Sequence, residues 1–339
     1  MKKLITCLCL AILAIASLVL AGCGQQADND KKVAIAFANS SASWQKNGQT
    51  FKEQLEKEGY TVDIQFADTA EQQAEQLEKQ IAAKPKCLVI GAVDGSKLTD
   101  VLAKAKAEKI PVIAYDRLIM NTDAVSYYAA FDNEAVGDAM GEYIEAALNL
   151  KSGAGPFYME LFAGDPADNN AHLFFEGTMK VLQPYIDKGQ LVVPSGETKF
   201  EQVNTKDWEA KNATARMTKL LAGPDAGHHL DVVLSPNDSL AAGIREALAQ
   251  GGYTTMPLMT GQDADAKALE AIKNGQQTIT IYKSPELLVE KAVRMVKAIV
   301  EGTTPDINDV TSYNNGVITV PAYLCTPLII DKNNLDEVK

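Results

Sequence analysis

Eight residues of this chain have types and positions suited to binding chemistry: Trp44, Asp116, Arg117, Asn170, Trp208, Asn237, Asp263 and Lys283. Asp116-Arg117 follow the apolar run ending at Tyr115, and Asn170 follows a polar loop after Phe162. Asn237 comes just after Leu234, Asp263 just after Thr260, and Lys283 directly after Tyr282. Trp44 follows the first apolar run, and Trp208 follows a polar loop (FEQVNTKD) and opens an amphipathic stretch. Carboxylate, amide and guanidinium groups are planar and can each bond two vicinal hydroxyls. Two indole rings can cover the apolar C–H faces of a pyranose. A buried set of this kind rejects solutes that lack matching hydroxyls, because its donors and acceptors would be left unpaired.

Taken singly, each residue also has an ordinary structural reading. Asp116, the Asn237-Asp238 pair and Asp263 suit helix N-caps. Arg117 suits a surface ion pair, Lys283 a solvated charge, Asn169 and Asn170 a loop or cap, and the tryptophans a core. What distinguishes the set is its shared place beyond apolar runs, where open α/β sheets bind their ligands.

Catalytic signatures are missing. The chain has no G-x-S-x-G, H-E-x-x-H or G-x-x-x-x-G-K-[ST]. Gly91 to Lys97 has the wrong spacing for a phosphate loop and reads as a strand-to-helix turn. Of the three histidines, His228 and His229 sit in a Gly/Pro-rich turn, and His172 begins an amphipathic stretch. Asp116 and Asp263 would be the candidate glycosidase pair, but a carboxylate paired with the adjacent Arg117 stays ionised and makes a poor general acid. No catalytic residue, metal or cofactor is expected. With Lys+Arg 32 against Asp+Glu 44, a net charge of −12 and no basic cluster, nucleic acid is not an expected partner.

The elements that must position these residues are legible in the hydrophobic pattern. Apolar runs beginning at Val33, Thr61, Cys87 and Pro111 recur roughly every 24–28 residues with amphipathic stretches between them, which predicts βα units and a parallel sheet. The runs are nearly continuous rather than alternating, as in strands buried on both faces. A second series follows Phe131, with strands expected at 157–162, 191–194, 232–234, 258–260 and 278–282. Its helices are expected at 133–148, 170–183, 208–221, 239–249, 264–273 and 286–300. Two series imply two α/β lobes of similar plan. No linker separates them, as expected of lobes that share the chain through several crossings.

The first residues point to a compartment. Lys2-Lys3, an uncharged run from Leu4 to Leu20, and Leu20-Ala21-Gly22-Cys23 read as a signal peptide over 1–22. The closing tetrapeptide resembles the bacterial lipobox, which implies a diacylated Cys23 as the mature N-terminus and a tether over 23–30. The expected location is the extracytoplasmic side of the cell envelope, held to the membrane by lipid. Cys7 and Cys9 leave with the signal. Cys87 opens an apolar run and reads as a buried inert thiol, although parity alone allows a disulfide with Cys325.

The segments SSASWQK, IAYDRLI, SYYAAFDNEAVG, GDPADNNAHLF, LSPNDSLAAGI, TGQDAD and TIYKSPELL, in this order, carry a resemblance over about 31–335. The chain resembles type I periplasmic sugar-binding receptors of ABC importers, within them the xylose-binding and multiple-monosaccharide group. The resemblance implies two Rossmann-like lobes with parallel sheets joined by a three-crossover hinge: 31–132 plus 283–321, and 133–282 plus 322–339. It implies crossings at Phe131-Asp132-Asn133, around Tyr282-Lys283, and near Pro321. By motif, Trp44 and Trp208 would sandwich a monosaccharide, while Asp116, Arg117, Asn170, Asn237, Asp263 and Lys283 would bond its hydroxyls. Asn170 is preferred to Asn169 because it directly precedes the Ala of DNNA. Relatives often carry Arg before the first tryptophan, where this chain has Ser43. The implied partners are a monosaccharide, the transmembrane subunits of an ABC permease, and, as an alternative, a chemoreceptor or sensor kinase. A non-pyranose ligand is the other alternative. A repressor of the same fold would need a helix-turn-helix where the signal stands. The expected state is a monomer that works by lobe closure.

Overall fold

A computed structural model describes residues 31–38 and 42–338, with the side chains of residues 42 and 43 left aside. The signal peptide expected over 1–22 and the lipidation expected at Cys23 lie outside the described residues. Among the described residues no helix is long and apolar enough to cross a membrane.

The first lobe is built on a parallel sheet of six strands: β1 (Lys32–Ala38), β2 (Thr61–Ala67), β3 (Cys87–Gly91), β4 (Val112–Tyr115), β5 (Tyr127–Phe131) and β11 (Ala322–Cys325). Their order is β2-β1-β3-β4-β5-β11. β3 and β4 are buried at every residue, because helices cover both faces. The helices α1 (Ala42–Lys57), α2 (Ala70–Ala82), α3 (Thr99–Ala107) and α10 (Pro285–Val300) do so. α10 begins with Ser284 accepting from the Leu287 N–H and with Pro at its start, a favoured opening.

The second lobe carries β6 (Phe157–Leu161), β7 (Leu191–Val192), β8 (Val232–Leu234) and β9 (Leu258–Met259) in the parallel order β7-β6-β8-β9. A bridge from Gln262 to Ile281 adds β10 (Thr280–Tyr282), on which β12 (Leu328–Ile330) lies antiparallel. Around them lie α4 (Asn133–Ala147), α5 (Asn169–Asp187), α6 (Phe200–Val203), α7 (Ala210–Ala222), α8 (Asp238–Gln250) and α9 (Ala266–Lys273).

The backbone passes between lobes between β5 and α4, between β10 and α10, and between β11 and β12. The sequence boundary at 321 assigns Ala322–Cys325 to the second lobe. Parallel pairing of β11 with β5 places this strand in the first sheet instead, so the last crossing falls at Thr326-Pro327. Tyr127–Phe131 was not expected as a strand. It joins β4 through a connection without a helix, so the βα rhythm gives no sign of it. Cys87 and Cys325 are both buried and free, so no disulfide joins them.

Candidate functional site

The carboxyl ends of the two sheets face a cavity of about 490 Å³ between the lobes, inside the range typical of small-molecule sites. All eight residues singled out above line it. Trp44, Asp116 and Arg117 come from the first lobe, Asn170, Trp208, Asn237 and Asp263 from the second, and Lys283 from a crossing segment.

Each tryptophan is seated on a glycine. Trp44, in the first turns of α1, meets Phe37 edge-on at 5.3 Å and Tyr115 at 6.1 Å. A Cβ on Gly91, the last residue of β3, would stand 2.3 Å from its indole. Trp208 leaves a short turn in which Asp207 and Trp208 both have left-handed backbone, φ +58° and +53°. A Cβ on Gly164, just beyond β6, would stand 2.0 Å from this second indole. The backbone after one strand in each lobe is therefore bare where an aromatic ring must lie.

Asp116 and Arg117 form a tight turn. The Arg117 N–H donates to the Tyr115 carbonyl at 2.7 Å across Asp116, whose φ is +62°. Arg117 is no surface cation. Its Nη1 donates to the Ala92 and Val93 carbonyls at 3.1 and 3.2 Å. Its Nε lies 3.1 Å from Asp168 Oδ2, although the Nε–H is not aimed along a hydrogen bond. The two side chains are 12% and 6% exposed. The carboxylate paired with Arg117 is thus Asp168 of the other lobe, not the adjacent Asp116 that the sequence suggests. The guanidinium also stands 5.4 Å from the Trp44 ring.

Asp168 caps α5 by accepting from the Asn170 N–H at 3.0 Å. The Asn170 amide is largely engaged within the protein. Its Nδ2 donates to the Asp116 carbonyl at 2.9 Å, and its Oδ1 accepts from Asn133 Nδ2 at 3.0 Å. Oδ1 also receives the Tyr128 hydroxyl at 3.4 Å. One amide N–H remains for anything in the cavity.

Asn237 combines both readings of its position. Its Oδ1 caps α8 by accepting from the Leu240 N–H at 2.9 Å, and its amide hydrogen-bonds the Asp263 carboxyl. Asp263 does not cap α9, which begins three residues later. Asp263 and Ala264 have φ of +98° and +52°, conformations that cost about 1–2 kcal/mol per residue. The Asp263 side chain is exposed where it opens to the cavity. Loss of water pushes its pKa above the ordinary carboxylate value, with Asp265 and Asp116 adding to the rise. Lys283 and the Asn237 bond oppose it. Lys283 Nζ lies 5.3 Å from the Phe174 ring.

The histidines stand apart from the cavity lining. His172 stacks on Phe200 at 3.8 Å, and His229 on Tyr253 at 4.8 Å. Among the described residues no group of three His, Cys, Asp or Glu could hold a metal.

Residues 33–304 match the family model described as a periplasmic binding protein domain. The chain belongs to the periplasmic binding protein family. This periplasmic binding protein is 45% identical to the multiple sugar-binding periplasmic receptor ChvE of Rhizobium radiobacter, over 90% of this chain and 88% of that one. It is 35% identical to the D-xylose-binding periplasmic protein of Escherichia coli, over 87% and 84%. A solute binding protein of an ABC transporter from Clostridium phytofermentans, solved with β-D-glucose bound, superimposes with a TM-score of 0.87 at 44% identity. That match covers 91% of this chain and 96% of the other. These relatives are binding proteins rather than enzymes.

Asp168 is among the lining residues that sequence reasoning missed, together with Asn47, Asp207, Gln262 and Asp265. Its signal was present, since Asp at the start of DNNA marks a helix cap. Its ion pair with Arg117 crosses between lobes, which no local pattern reports.

Proposed function

We propose that this protein captures a monosaccharide, an aldopentose or aldohexose in pyranose form, in the cavity between its lobes and delivers it to the transmembrane subunits of an ABC permease. The observation that carries this reading is the lining itself: one indole from each lobe, with planar polar groups from both. Trp44 and Trp208 cover the ring faces. Asp116, Arg117, Asn170, Asn237, Asp263 and Lys283 bond the hydroxyls. The relatives support it, since one is named for binding multiple sugars and another was solved with glucose. The two lobes act as units, and a sugar that bonds to both stabilises the closed form and shifts the population towards it. The closed form then offers faces of both lobes to the permease. Diacylation at Cys23 holds the receptor at the membrane and raises its local concentration beside the permease.

Calorimetric titration of residues 24–339 with D-xylose, D-glucose, D-galactose, L-arabinose and D-ribose tests the reading. Saturable binding at micromolar concentration or tighter, abolished by Trp208→Ala, is expected. Failure of every pentose and hexose to bind ligand-stripped protein refutes it. Loss of membrane association in Cys23→Ser tests the anchor separately.

A further inference from the structure

Asp238 does not line the cavity and is 2% exposed. It is nevertheless the hub of the strained turn that presents Asp263. Its N–H donates to the Gln262 carbonyl at 3.0 Å. Its Oδ1 accepts from Gln277 Nε2 at 2.7 Å, and its Oδ2 accepts from the Asp265 N–H at 3.0 Å and the Thr280 hydroxyl at 2.9 Å. Thr280 Oγ1 in turn accepts from the Ala264 N–H at 3.1 Å. The two N–H groups that follow Asp263 are therefore both tied to one carboxyl, one directly and one through a hydroxyl. Gly261 leaves room for this: a Cβ there would stand 2.1 Å from Asp238 Oδ1 and 2.3 Å from Gln277 Nε2.

We propose that Asp238 is a positioning residue for sugar binding, which fixes the left-handed turn at Asp263-Ala264 so that the Asp263 carboxyl points into the cavity. This inference rests on the monosaccharide reading above and adds a residue that acts only through another. Both oxygens of Asp238 meet N–H donors, so an amide in its place sets an NH2 group against one of them. Gln277 cannot turn over to accept it, because Gln277 Oε1 accepts from Arg245. Burial and the neighbouring Asp263 push the Asp238 carboxyl up to about 8. On protonation the Thr280 bond reverses, the neutral carboxyl donating to Thr280 Oγ1, and the bonds from Gln277 and the Asp265 N–H remain.

The test is a double-mutant cycle on residues 24–339, with the tighter of D-glucose and D-xylose titrated calorimetrically. Asp238→Asn is expected to weaken binding at least tenfold while the far-UV circular dichroism stays that of wild type. In an Asp263→Ala background the same change is expected to weaken binding by no more than about twofold. A carboxyl that merely supported the fold would lower affinity by the same factor in both backgrounds. Multiplying effects, or wild-type affinity in Asp238→Asn, overturn the inference. If Asp238→Asn fails to fold, Thr280→Val removes the relay to the Ala264 N–H and enters the same cycle. Wild-type affinity in Asp263→Ala, or no binding of either sugar by the wild-type protein, sinks the underlying site reading and the inference with it.

Discussion

Asp168→Asn separates two functions that one carboxylate performs in this structure. Asn is as good an N-cap as Asp, so the bond from the Asn170 N–H survives the change. What disappears is the negative charge 3.1 Å from Arg117 Nε. Arg117 keeps its bonds to the Ala92 and Val93 carbonyls, so its guanidinium stays in place with its countercharge removed. Removing one partner of a fully buried pair costs about 3–5 kcal/mol. Here the pair keeps some contact with solvent and the Arg117 Nε–H is not aimed along a hydrogen bond, so about 2 kcal/mol is the expected loss. The pair spans the two lobes, and the loss therefore falls on the closed form rather than on either lobe's fold. About 2 kcal/mol weakens sugar binding roughly thirtyfold. Calorimetric titration with D-glucose reads this loss, small-angle scattering reads the expected expansion of the ligand-free protein, and thermal unfolding should move little. Asp168→Ala should add a lower melting temperature, because it also removes the cap, worth about 1 kcal/mol. Unchanged affinity in Asp168→Asn, or an affinity loss wholly matched by a fall in thermal stability, would refute the assignment of this pair to closure.

Further expectations follow from the same geometry. Gly164→Ala puts a methyl 2.0 Å from the Trp208 indole, so the ring must move and sugar affinity should fall about tenfold or more, read by titration with the circular dichroism unchanged. Glu160 is fully buried and accepts from the Ser195 N–H and hydroxyl at 3.0 and 2.8 Å. Burial, with Asp225 beside it, raises its pKa from 4.5 to about 7. Between those values the folded chain holds a proton that the unfolded chain has released, so stability falls as pH rises through that window, by up to about 3 kcal/mol. Denaturant unfolding of Glu160→Gln from pH 4.5 to 8 should show a flatter profile than wild type. Burial lifts the Cys87 thiol well above its usual value and Cys325 to about 11. A thiol reagent at pH 8 should therefore label neither cysteine of residues 24–339 until the protein is denatured.

The parts of the fold that repeat were readable, and the parts that break the repeat were not. Apolar runs separated by amphipathic stretches mark β1 to β4 and β6 to β10; β1, β3 and β4 are buried on both faces and leave no choice of residue class, whereas the edge strand β2 exposes Thr61 and Gln65. β5 and β11 are invisible to that rhythm: each enters the first sheet without a helix directly before it. The site was readable for a related reason. Taken singly these polar residues suit caps and loops, but their shared place beyond successive strands marked the cavity. Left-handed backbone at Trp208 and Ala264 was not foreseeable from residue type, because only glycine and, less strongly, Asn and Asp advertise it, the type that Asp207 and Asp263 belong to. Contacts between lobes, such as the Arg117–Asp168 ion pair, depend on how the lobes meet, which no local pattern encodes.

The caps explain why the ordinary and the functional readings of these residues could not be told apart in the sequence. Asp168 and Asn237 each place one oxygen on the first free N–H groups of a helix and turn the rest of the side chain towards the cavity or its lining. A helix that starts at a strand end must cap its N–H groups there, and the cavity lies there too, so one residue meets both needs. Binding groups held in this way are fixed before any ligand arrives, because the cap bond limits their rotamers. That lowers the entropy lost on binding. It also means that truncation to alanine confounds two losses at every such position. Only exchanges between cap-competent residues, Asp for Asn or Asn for Ser, isolate what the group does for the ligand.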